Sequence, residues 1–359
     1  MTSKHRLIRQ PAIAVLSASG LLLTACGGGS GGGEAAGCDG TEVSVGITNS
    51  ASDAPFYIGQ KKGYFKEEGL TVDFVPFDSA AKMIPPMGGG DLDVGAGAPS
   101  AGFYNAVARD VNLRIVADKG SMPENYGYMP LLVRKDLYDS GEITEIADLK
   151  GRKVAEPAQA TATSSTLSTM LASAGLGYND VKHEYIGFAE HPAAFDNGAV
   201  DAALTTEPSA TIAESQGAAV RLGTPPDHYD NQQLAVLLYS DSFAAEQTET
   251  AQCFMNAYIK SARDYVSAFD EGKLTGEAGD EVSEIVTEAT GLEPEVFKKM
   301  TPNYIDPDGA VNMDSLAKDF EFFTKQGFLE HPVELNDIVD TSFAEKATAE
   351  LGEFKPNGS

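Results

Sequence analysis

A unit of strand, loop, helix and strand occurs twice in the chain, about 108 residues apart. Each copy has a Gly-x-x-Asp turn, then Pro-Ser-Ala, which begins a helix with proline in its first turn, then a short apolar strand. Two such units predict an α/β fold with one sheet in each of two lobes. The alternative is a coincidence between two common βαβ units. The copies are residues 90–93, 98–101 and 113–115, then 198–201, 207–210 and 220–222.

Strand and helix patterns alternate around both copies. They predict parallel sheets, followed by an almost wholly helical segment from 243 to 351. The predicted strands are 43–48, 70–75, 92–96 and 113–117 in the first half, then 153–155, 182–186, 201–204 and 219–222 in the second. The predicted helices between them are 55–63, 79–85, 99–109, 163–174, 192–196 and 208–215.

The repeated unit also indicates where a ligand binds. In an open parallel sheet, ligands lie beyond the carboxyl ends of the strands, where helix N-termini point. The two units place residues 98–100 and 206–208 at such ends. If the lobes face each other, these segments line opposite walls of a cleft, and we expect the functional site there.

The first 25 residues have the composition of a secretory signal peptide. Lys4, Arg6 and Arg9 give it a positive start, and residues 12–23 are an apolar stretch too short to span a membrane. The stretch ends in Leu23-Thr24-Ala25-Cys26, which is typical of a bacterial lipoprotein, so we expect cleavage before Cys26 and lipidation of its thiol. A glycine-rich tether then continues to about residue 40. The alternative is a plain secretion signal with a chance cysteine.

The net charge is −27, from 26 Lys and Arg against 53 Asp and Glu. Nucleic acid is not the expected partner, because phosphate binding needs clustered cations. Two cysteines remain after Cys26, and an extracytoplasmic compartment permits a disulfide between Cys38 and Cys253. The alternative is a buried Cys253 beside an unpaired Cys38.

Several motifs resemble one family of solute-binding proteins. They are Pro55-Phe56-Tyr57-Ile58, Lys62-Gly63-Tyr64-Phe65-Lys66-Glu67-Glu68-Gly69-Leu70, Gly90-Asp91-Leu92-Asp93-Val94-Gly95, Asp148-Leu149-Lys150-Gly151-Arg152-Lys153 and Gly198-Ala199-Val200-Asp201-Ala202 with Glu207-Pro208. Their order is similar to that in the binding proteins of ABC importers for nitrate, sulfonates, taurine and thiamine-precursor pyrimidines. The resemblance covers about residues 43–222. It implies the periplasmic-binding-protein type II fold: two Rossmann-like α/β lobes joined by two hinge strands, with a helical C-terminal part.

The resemblance also implies the domain layout and the partners. Residues 131–239 form lobe 2, whereas residues 41–130 and 240–359 form lobe 1, and the apolar runs 129–134 and 234–239 are the hinge. A ligand that contacts both lobes favours the closed form, which an ABC permease with its ATPase then recognises. The receptor is expected to be a monomer that its lipid holds at the outer face of the cell membrane.

Loops at the strand ends supply the candidate ligand-binding residues, as in the family. The Ser/Thr-rich helix start at 161–165 offers hydroxyls and backbone N–H groups to an anionic oxygen, although ordinary helix capping explains the same residues. Aromatic rings offer flat faces or belong to the core. Glu207 is expected to face the cleft and accept hydrogen bonds from an amine, or to be a surface acid. The candidates are Asn49, Ser50, Asp53, Phe56, Asp78, Ser79, Ala98, Ser100, Tyr128, Thr161, Thr163, Ser164, Phe188 and Glu207.

The sequence therefore predicts a receptor that delivers a small organic or oxyanion ligand to an ABC importer. Sulfonate, nitrate, aromatic acid and pyrimidine ligands all stay open, but a small dianion is disfavoured because Lys82 is the one cation near these loops. An exported enzyme and a ligand sensor are alternatives on the same scaffold. The chain has only three Cys, too few for the cysteine-rich motif of the family's pyrimidine synthases. Its five His are scattered singly, so neither a metal nor a cofactor is expected.

Overall fold

The computed structural model of the protein describes Cys38, residues 40–331 and residues 333–355. The expected signal peptide and Cys26 lie outside these residues. The strands are β1 (Thr41–Ile47), β2 (Leu70–Pro76), β3 (Val94–Gly97), β4 (Arg114–Met122), β5 (Leu131–Arg134), β6 (Lys153–Glu156), β7 (Lys182–Tyr185), β8 (Ala202–Leu204), β9 (Ala219–Gly223), β10 (Gln232–Tyr239), β11 (Phe269–Asp270) and β12 (Lys273–Leu274).

The α-helices alternate with strands up to β10 and dominate the chain after it. They are α1 (Ala54–Lys62), α2 (Tyr64–Glu67), α3 (Ile84–Gly89), α4 (Ala101–Val107), α5 (Lys135–Asp139), α6 (Ala162–Ser173), α7 (His191–Asp196), α8 (Ser209–Ser215), α9 (Thr248–Val266), α10 (Gly276–Thr290), α11 (Pro294–Phe297), α12 (Met313–Lys325), α13 (Leu335–Ile338) and α14 (Ser342–Leu351). Short 3₁₀ helices occupy Ala51–Asp53, Ala80–Met83, Ile146–Leu149, Tyr178–Asp180, Phe188–Glu190 and Pro225–Asp227, and a π-helical turn occupies Ser242–Glu246. Among the described residues, no helix is both long and apolar enough to cross a membrane.

The first sheet, which with the elements packed on it we call lobe 1, has the strand order β2-β1-β3-β10-β4. β1 pairs in parallel with β2 and β3, whereas β10 is antiparallel to β3 and β4. All eight residues of β10 are buried, as expected for a strand that is covered on both faces. The predicted strands at 43–48, 70–75, 92–96 and 113–117 all lie in this sheet, and β4 extends further than predicted, to Met122.

The second sheet, with the elements packed on it, forms lobe 2 and has the order β7-β6-β8-β5-β9. β6 is parallel to β7 and β8, and β5 is antiparallel to β8 and β9. The repeated sequence unit supplies β3 and β4 in lobe 1, and β8 and β9 in lobe 2. In both sheets one antiparallel strand lies between the two strands of the unit: β10 in the first and β5 in the second.

The chain passes between the two sheets twice, through residues 123–130 and 224–231. β5 follows the first passage and β10 follows the second. Because β10 pairs with β3 and β4, it belongs to lobe 1, and the expected end of lobe 2 at residue 239 moves back to before Gln232. The apolar run of β10 indicates a buried strand, but only its pairing partners, far away in sequence, decide which sheet contains it.

The helical C-terminal part packs on lobe 1 through α9, which contacts α1, α2 and α14. The ring of Phe56 on α1 lies among aromatic side chains of α9, with its centroid 5.6 Å from that of Tyr258. A disulfide between Cys38 and Cys253 ties the beginning of the described chain to the same helix. The predicted pairing of these two cysteines is confirmed.

Candidate functional site

The lobes meet where the N-termini of α4 and α6 face each other. The N–H of Ala101, the first residue of α4, donates to the carbonyl of Ala160 at 2.8 Å, and the N–H of Ala162, the first residue of α6, donates to that of Pro99 at 2.9 Å. The two segments thus form a reciprocal pair of backbone hydrogen bonds across the cleft. The described arrangement is therefore a closed one.

A third backbone hydrogen bond closes the cleft at another edge. The N–H of Ala51 in lobe 1 donates to the carbonyl of Glu207 in lobe 2 at 2.9 Å. Both residues lie in loops at strand ends, as the repeated unit led us to expect. The three backbone bonds together hold segments 50–51, 98–101, 160–162 and 206–207 against one another.

A small cavity of about 30 Å³ lies between these segments. Most of its walls are hydroxyl-bearing or small apolar residues, and two rings, Tyr128 and Phe188, complete them. The lining residues are Thr48, Ser50, Ser52, Ser79, Ala80, Gly97, Ala98, Lys119, Tyr128, Pro157, Thr161, Thr163, Phe188, Thr206, Leu234 and Ala235. Both lobes contribute to it, so the cavity exists in this form only when the lobes are closed.

Three hydroxyls in the cavity wall are buried without a hydrogen-bond partner among the described residues. They belong to Ser79, Thr161 and Thr206, each at most 2% exposed. Ser79 comes from lobe 1, where it precedes a 3₁₀ turn, and the two threonines come from lobe 2. Buried polar groups normally have partners, so these three hydroxyls mark positions where a bound molecule can donate or accept.

A buried ion pair lies at another part of the wall. The ammonium nitrogen of Lys119 lies 2.6 Å from Oδ1 of Asp53, and neither side chain is exposed. The same nitrogen donates to Oγ of Ser52 at 2.7 Å. Burial lowers the pKa of Lys119, whereas the nearby Asp53 carboxylate opposes that change.

Gly120, next to Lys119 on β4, lets the cavity wall pack closely. A Cβ at this position would lie 2.7 Å from the hydroxyl oxygen of Tyr128 and 3.1 Å from Cβ of Ser52. A larger residue would therefore displace two side chains that line the cavity. The geometry explains why the adjacent charged residues Asp118 and Lys119 are followed directly by glycine.

Seven of the fourteen predicted ligand-binding residues line the cavity: Ser50, Ser79, Ala98, Tyr128, Thr161, Thr163 and Phe188. Asp53 does not line the cavity but lies behind Lys119, with which it forms an ion pair. Asn49 lines a neighbouring groove instead, and Asp78 lies beside the cavity with an exposed side chain paired to Lys82. Ser100 caps α4 by accepting from the N–H of Phe103, and Ser164 is a buried residue in the first turn of α6.

The structure corrects the expectation for Phe56. Its side chain is fully buried in the core of lobe 1, stacked among rings of α9, and contributes nothing to the cavity wall. The helical spacing of residues 55–63 predicts which face of α1 is apolar, but that face turns away from the cleft.

The structure also corrects Glu207, whose carboxylate was expected to face the cleft. The side chain is fully buried and already bonded: Oε2 accepts from the N–H of Thr211 at 2.9 Å, and Oε1 accepts from Arg221 at 3.2 Å and from the N–H of Thr301 at 3.3 Å. Burial nevertheless raises its pKa. The backbone carbonyl of Glu207 bonds Ala51, and its carboxylate bonds the N–H of Thr301, so both groups join lobe 2 to lobe 1 without lining the cavity.

Three backbone N–H groups at the start of α6 are likewise bonded within the protein. Ala162 donates to Pro99, while Ser164 and Ser165 donate to the carbonyl of Thr161 at 2.9 and 3.3 Å. These three N–H groups are therefore occupied in the closed arrangement, whereas the N–H of Thr163, a residue that lines the cavity, has no partner among the described residues. The hydroxyl of Thr161, at the same helix start, also has no partner among these residues.

The candidate residues omitted Thr48, Ser52, Lys119 and Thr206 among the polar lining residues, although Thr206 lies in the segment 206–208 that was predicted to line the cleft. Lys119 was missed because the search covered loops, whereas it lies inside β4. A signal was present: Asp118 and Lys119 are adjacent charges in the middle of an otherwise apolar strand. Charged residues are rarely buried unless they are paired, so two adjacent charges in a buried strand indicate a candidate site position.

A larger open groove of about 960 Å³ adjoins the cavity on the outer side of the cleft. Helices α1 and α10 of lobe 1 and helices α7 and α8 of lobe 2 form its walls, which are mainly apolar. Ser50 lines both the groove and the cavity, so it stands between them.

Two mixed α/β sheets that close on a central cavity define a two-lobed protein of the periplasmic-binding-protein type II fold. Solved structures agree: the alkanesulfonate-binding protein SsuA from Xanthomonas axonopodis pv. citri superposes with a TM-score of 0.67 at 18% identity, covering 84% of this chain and 99% of that one. The nitrate-binding protein NrtA from Synechocystis PCC 6803 gives a TM-score of 0.68 at 14% identity, covering 87% and 89%.

The family follows from the sequence. The family model described as NMT1/THI5 like matches residues 50–269, and the chain belongs to this family. The taurine-binding periplasmic protein of Escherichia coli (strain K12) is 24% identical over 226 residues, which are 63% of this chain and 67% of that protein. The resemblance seen in the motifs is thereby confirmed.

Proposed function

We propose that the protein is the extracytoplasmic solute-binding receptor of an ABC importer and that it closes on a small organic or oxyanion ligand. One observation carries the proposal: the lobes enclose a cavity in which Ser79, Thr161 and Thr206 present buried hydroxyls without protein partners. A ligand that bonds these groups removes the cost of burying them unpaired. The named relatives, which bind taurine, alkanesulfonate and nitrate, support the same class of protein.

Closure follows from where these hydroxyls come from. Ser79 belongs to lobe 1, whereas Thr161 and Thr206 belong to lobe 2. A ligand that contacts all three interacts fully only with the closed form, so its binding shifts the population of molecules toward that form. The permease with its ATPase then recognises the closed form and imports the ligand.

The rest of the proposal concerns location and organisation. We place the protein at the outer face of the cell membrane, anchored by a lipid on Cys26 after removal of residues 1–25, and as a monomer. Lobe 2 comprises residues 131 to about 231, and lobe 1 comprises residues 41–130 together with the chain from β10 onward. The extracytoplasmic location of the relatives supports this arrangement, and the disulfide Cys38–Cys253 is compatible with an oxidising compartment.

A solute screen tests the function. The protein without residues 1–25 is heated with sulfonates, nitrate, aromatic acids and pyrimidines, and its unfolding midpoint is recorded. A ligand that binds only the folded state adds about 2.7 kcal/mol of stability at a hundredfold excess over Kd, enough to shift the midpoint by a few degrees. Small-angle scattering with and without the ligand should then show that the molecule becomes more compact.

The outcome separates the receptor from its competitors. A compound that shifts the midpoint and is recovered unchanged by mass spectrometry supports a binding protein, whereas recovery of a converted product indicates an exported enzyme. Uptake by the permease encoded with the protein, reconstituted in vesicles, separates an import receptor from a ligand sensor. A panel that leaves the midpoint unmoved, together with scattering curves that never change, would contradict the proposed function.

A further inference from the structure

Lys119 lines the cavity, and the carboxylate that balances its charge, Asp53, lies directly behind the wall. Lys119 and Asp53 are both fully buried, with Nζ and Oδ1 2.6 Å apart. The other side chains that line the cavity are hydroxyl-bearing, apolar or aromatic. The wall and Asp53 together therefore contribute no net charge, although the wall contains a cation.

The ammonium group of Lys119 retains one hydrogen-bonding position. It carries three hydrogens, of which one points to Asp53 and one to Oγ of Ser52 at 2.7 Å. The third is free for an acceptor atom in the cavity. Lys119 can thus donate to a ligand while Asp53 continues to neutralise its charge.

Among the described residues that line the cavity, Lys119 is the one cationic side chain. The N–H groups of Ala162, Ser164 and Ser165 at the start of α6 are used within the protein. Asp118, next to Lys119, brings a second buried carboxyl group, which burial holds at a pKa of about 7. A bound anion would therefore lie among side chains that together carry no net positive charge, and burying a charge without an oppositely charged side chain is costly.

We propose that the Asp53–Lys119 pair determines the charge of the ligand: the cavity selects an uncharged small molecule with a hydrogen-bond acceptor for Lys119 and rejects small oxyanions. This inference rests on the proposed function and narrows its ligand class. The hydroxyls of Ser79, Thr161 and Thr206 complete the recognition, because each can donate or accept according to the ligand.

The test converts the neutral cavity into a positive one. Asp53→Asn leaves Lys119 without its counter-ion, so nitrate and methanesulfonate should gain affinity. Both anions are titrated by calorimetry into wild type and variant, each beside an uncharged molecule of similar shape: urea for nitrate and methanesulfonamide for methanesulfonate. Because the loss of Asp53 also removes the charge that favours protonated Lys119, the titrations are repeated at decreasing pH. Where Lys119 is protonated, the variant should bind the anions at least about tenfold more tightly than the wild type.

Two further variants make the result specific. Asp53→Asn combined with Lys119→Met removes both charges, so the gain in anion affinity should disappear. If Asp53→Asn alone does not fold, Lys119→Met alone provides the reverse experiment: Asp53 is left unpaired, and methylammonium and guanidinium should gain affinity by a similar factor.

Each outcome decides the proposal. Wild-type protein that binds nitrate or methanesulfonate more tightly than their uncharged counterparts overturns it, and so does a folded Asp53→Asn protein without any gain for anions. These readouts are independent of the solute screen. A receptor whose natural ligand proves to be an anion keeps its proposed function and loses only this inference, whereas a chain that binds no solute loses the function even if the variants change their ion affinity.

Discussion

Replacing Thr206 by valine should stabilise the unliganded protein and weaken its ligand. The hydroxyl of Thr206 is buried in the cavity wall without a protein partner, and its side chain is only 2% exposed. Valine has nearly the same shape, so the substitution removes the hydroxyl and leaves the packing in place. The two effects have opposite signs because the unpaired hydroxyl destabilises the empty closed cavity, whereas its hydrogen bond to a ligand stabilises the complex.

The size of both effects follows from that geometry. Burying a hydroxyl without a partner costs about 1–3 kcal/mol, so Thr206→Val should raise the free energy of unfolding by about 1 kcal/mol or more. In a chain of this length the unfolding midpoint should rise by about 1–2 °C. A hydrogen bond to an uncharged ligand contributes about 0.5–1.5 kcal/mol, so the ligand found in the screen should bind about two- to tenfold more weakly.

Thr205 is the matched control. Its hydroxyl is also buried without a partner, but the residue is not part of the cavity wall. Thr205→Val should therefore give a similar rise in the midpoint with no change in ligand affinity. Scanning calorimetry and titration of both variants provide the comparison. If Thr206→Val keeps full affinity, or if both variants weaken the ligand equally, the assignment of the cavity as the binding site is refuted.

Three other predictions concern the surrounding structure. Replacing Cys38 and Cys253 by serine removes a covalent link between residues 215 positions apart, which in the chain-entropy model lowers the free energy of unfolding by up to about 5 kcal/mol. Urea unfolding measures this loss, and an unchanged free energy of unfolding would contradict the prediction. Burial raises the pKa of Asp319 to about 7, so the free energy of unfolding should fall as the pH rises from about 4 to about 7 and this carboxyl loses its proton. Asp319→Asn should remove this decrease, which amounts to up to about 4 kcal/mol, from the pH profile of unfolding. Glu207→Gln should lower the free energy of unfolding by about 1–3 kcal/mol, since Arg221 loses its buried carboxylate partner. In the calorimetric titrations with anions and their uncharged counterparts, this variant should show the same preference as the wild type.

The repeated unit made the main features of the fold predictable. Its two copies became β3 and β4 in lobe 1 and β8 and β9 in lobe 2, with the helices α4 and α8 that follow their proline-containing loops. These features are local: a period of two or 3.6 residues and a few turn residues decide them. The placement of β10 was not local, because eight buried residues fit either sheet and the choice depends on pairing with β3 and β4.

The site was predictable in position but only partly in chemistry. The rule that ligands lie beyond the strand ends located Ser79, Thr161 and Phe188 correctly in the wall of one cavity. It could not determine the direction of a side chain. The carboxylate of Glu207 turns away from the cavity because Arg221 of lobe 2 and the N–H of Thr301 of lobe 1 bind it, and Thr301 is 94 residues away in sequence.

The closed form and the unpaired hydroxyls belong to one energetic balance. Backbone hydrogen bonds across the cleft and side-chain bonds such as that from the N–H of Thr301 to Glu207 join the lobes, and each contributes roughly 1 kcal/mol net. Three buried hydroxyls without partners oppose them, at a cost of roughly 1 kcal/mol or more each. Closure without a ligand therefore leaves a cost that opposes the bonds between the lobes. A ligand that bonds Ser79, Thr161 and Thr206 removes the opposing term and leaves the backbone bonds to hold the lobes together. Such a receptor closes because its ligand forms hydrogen bonds with the otherwise unpaired hydroxyls of the cavity. Thr206→Val removes one of these hydroxyls, so small-angle scattering should show a larger fraction of closed molecules in the absence of ligand.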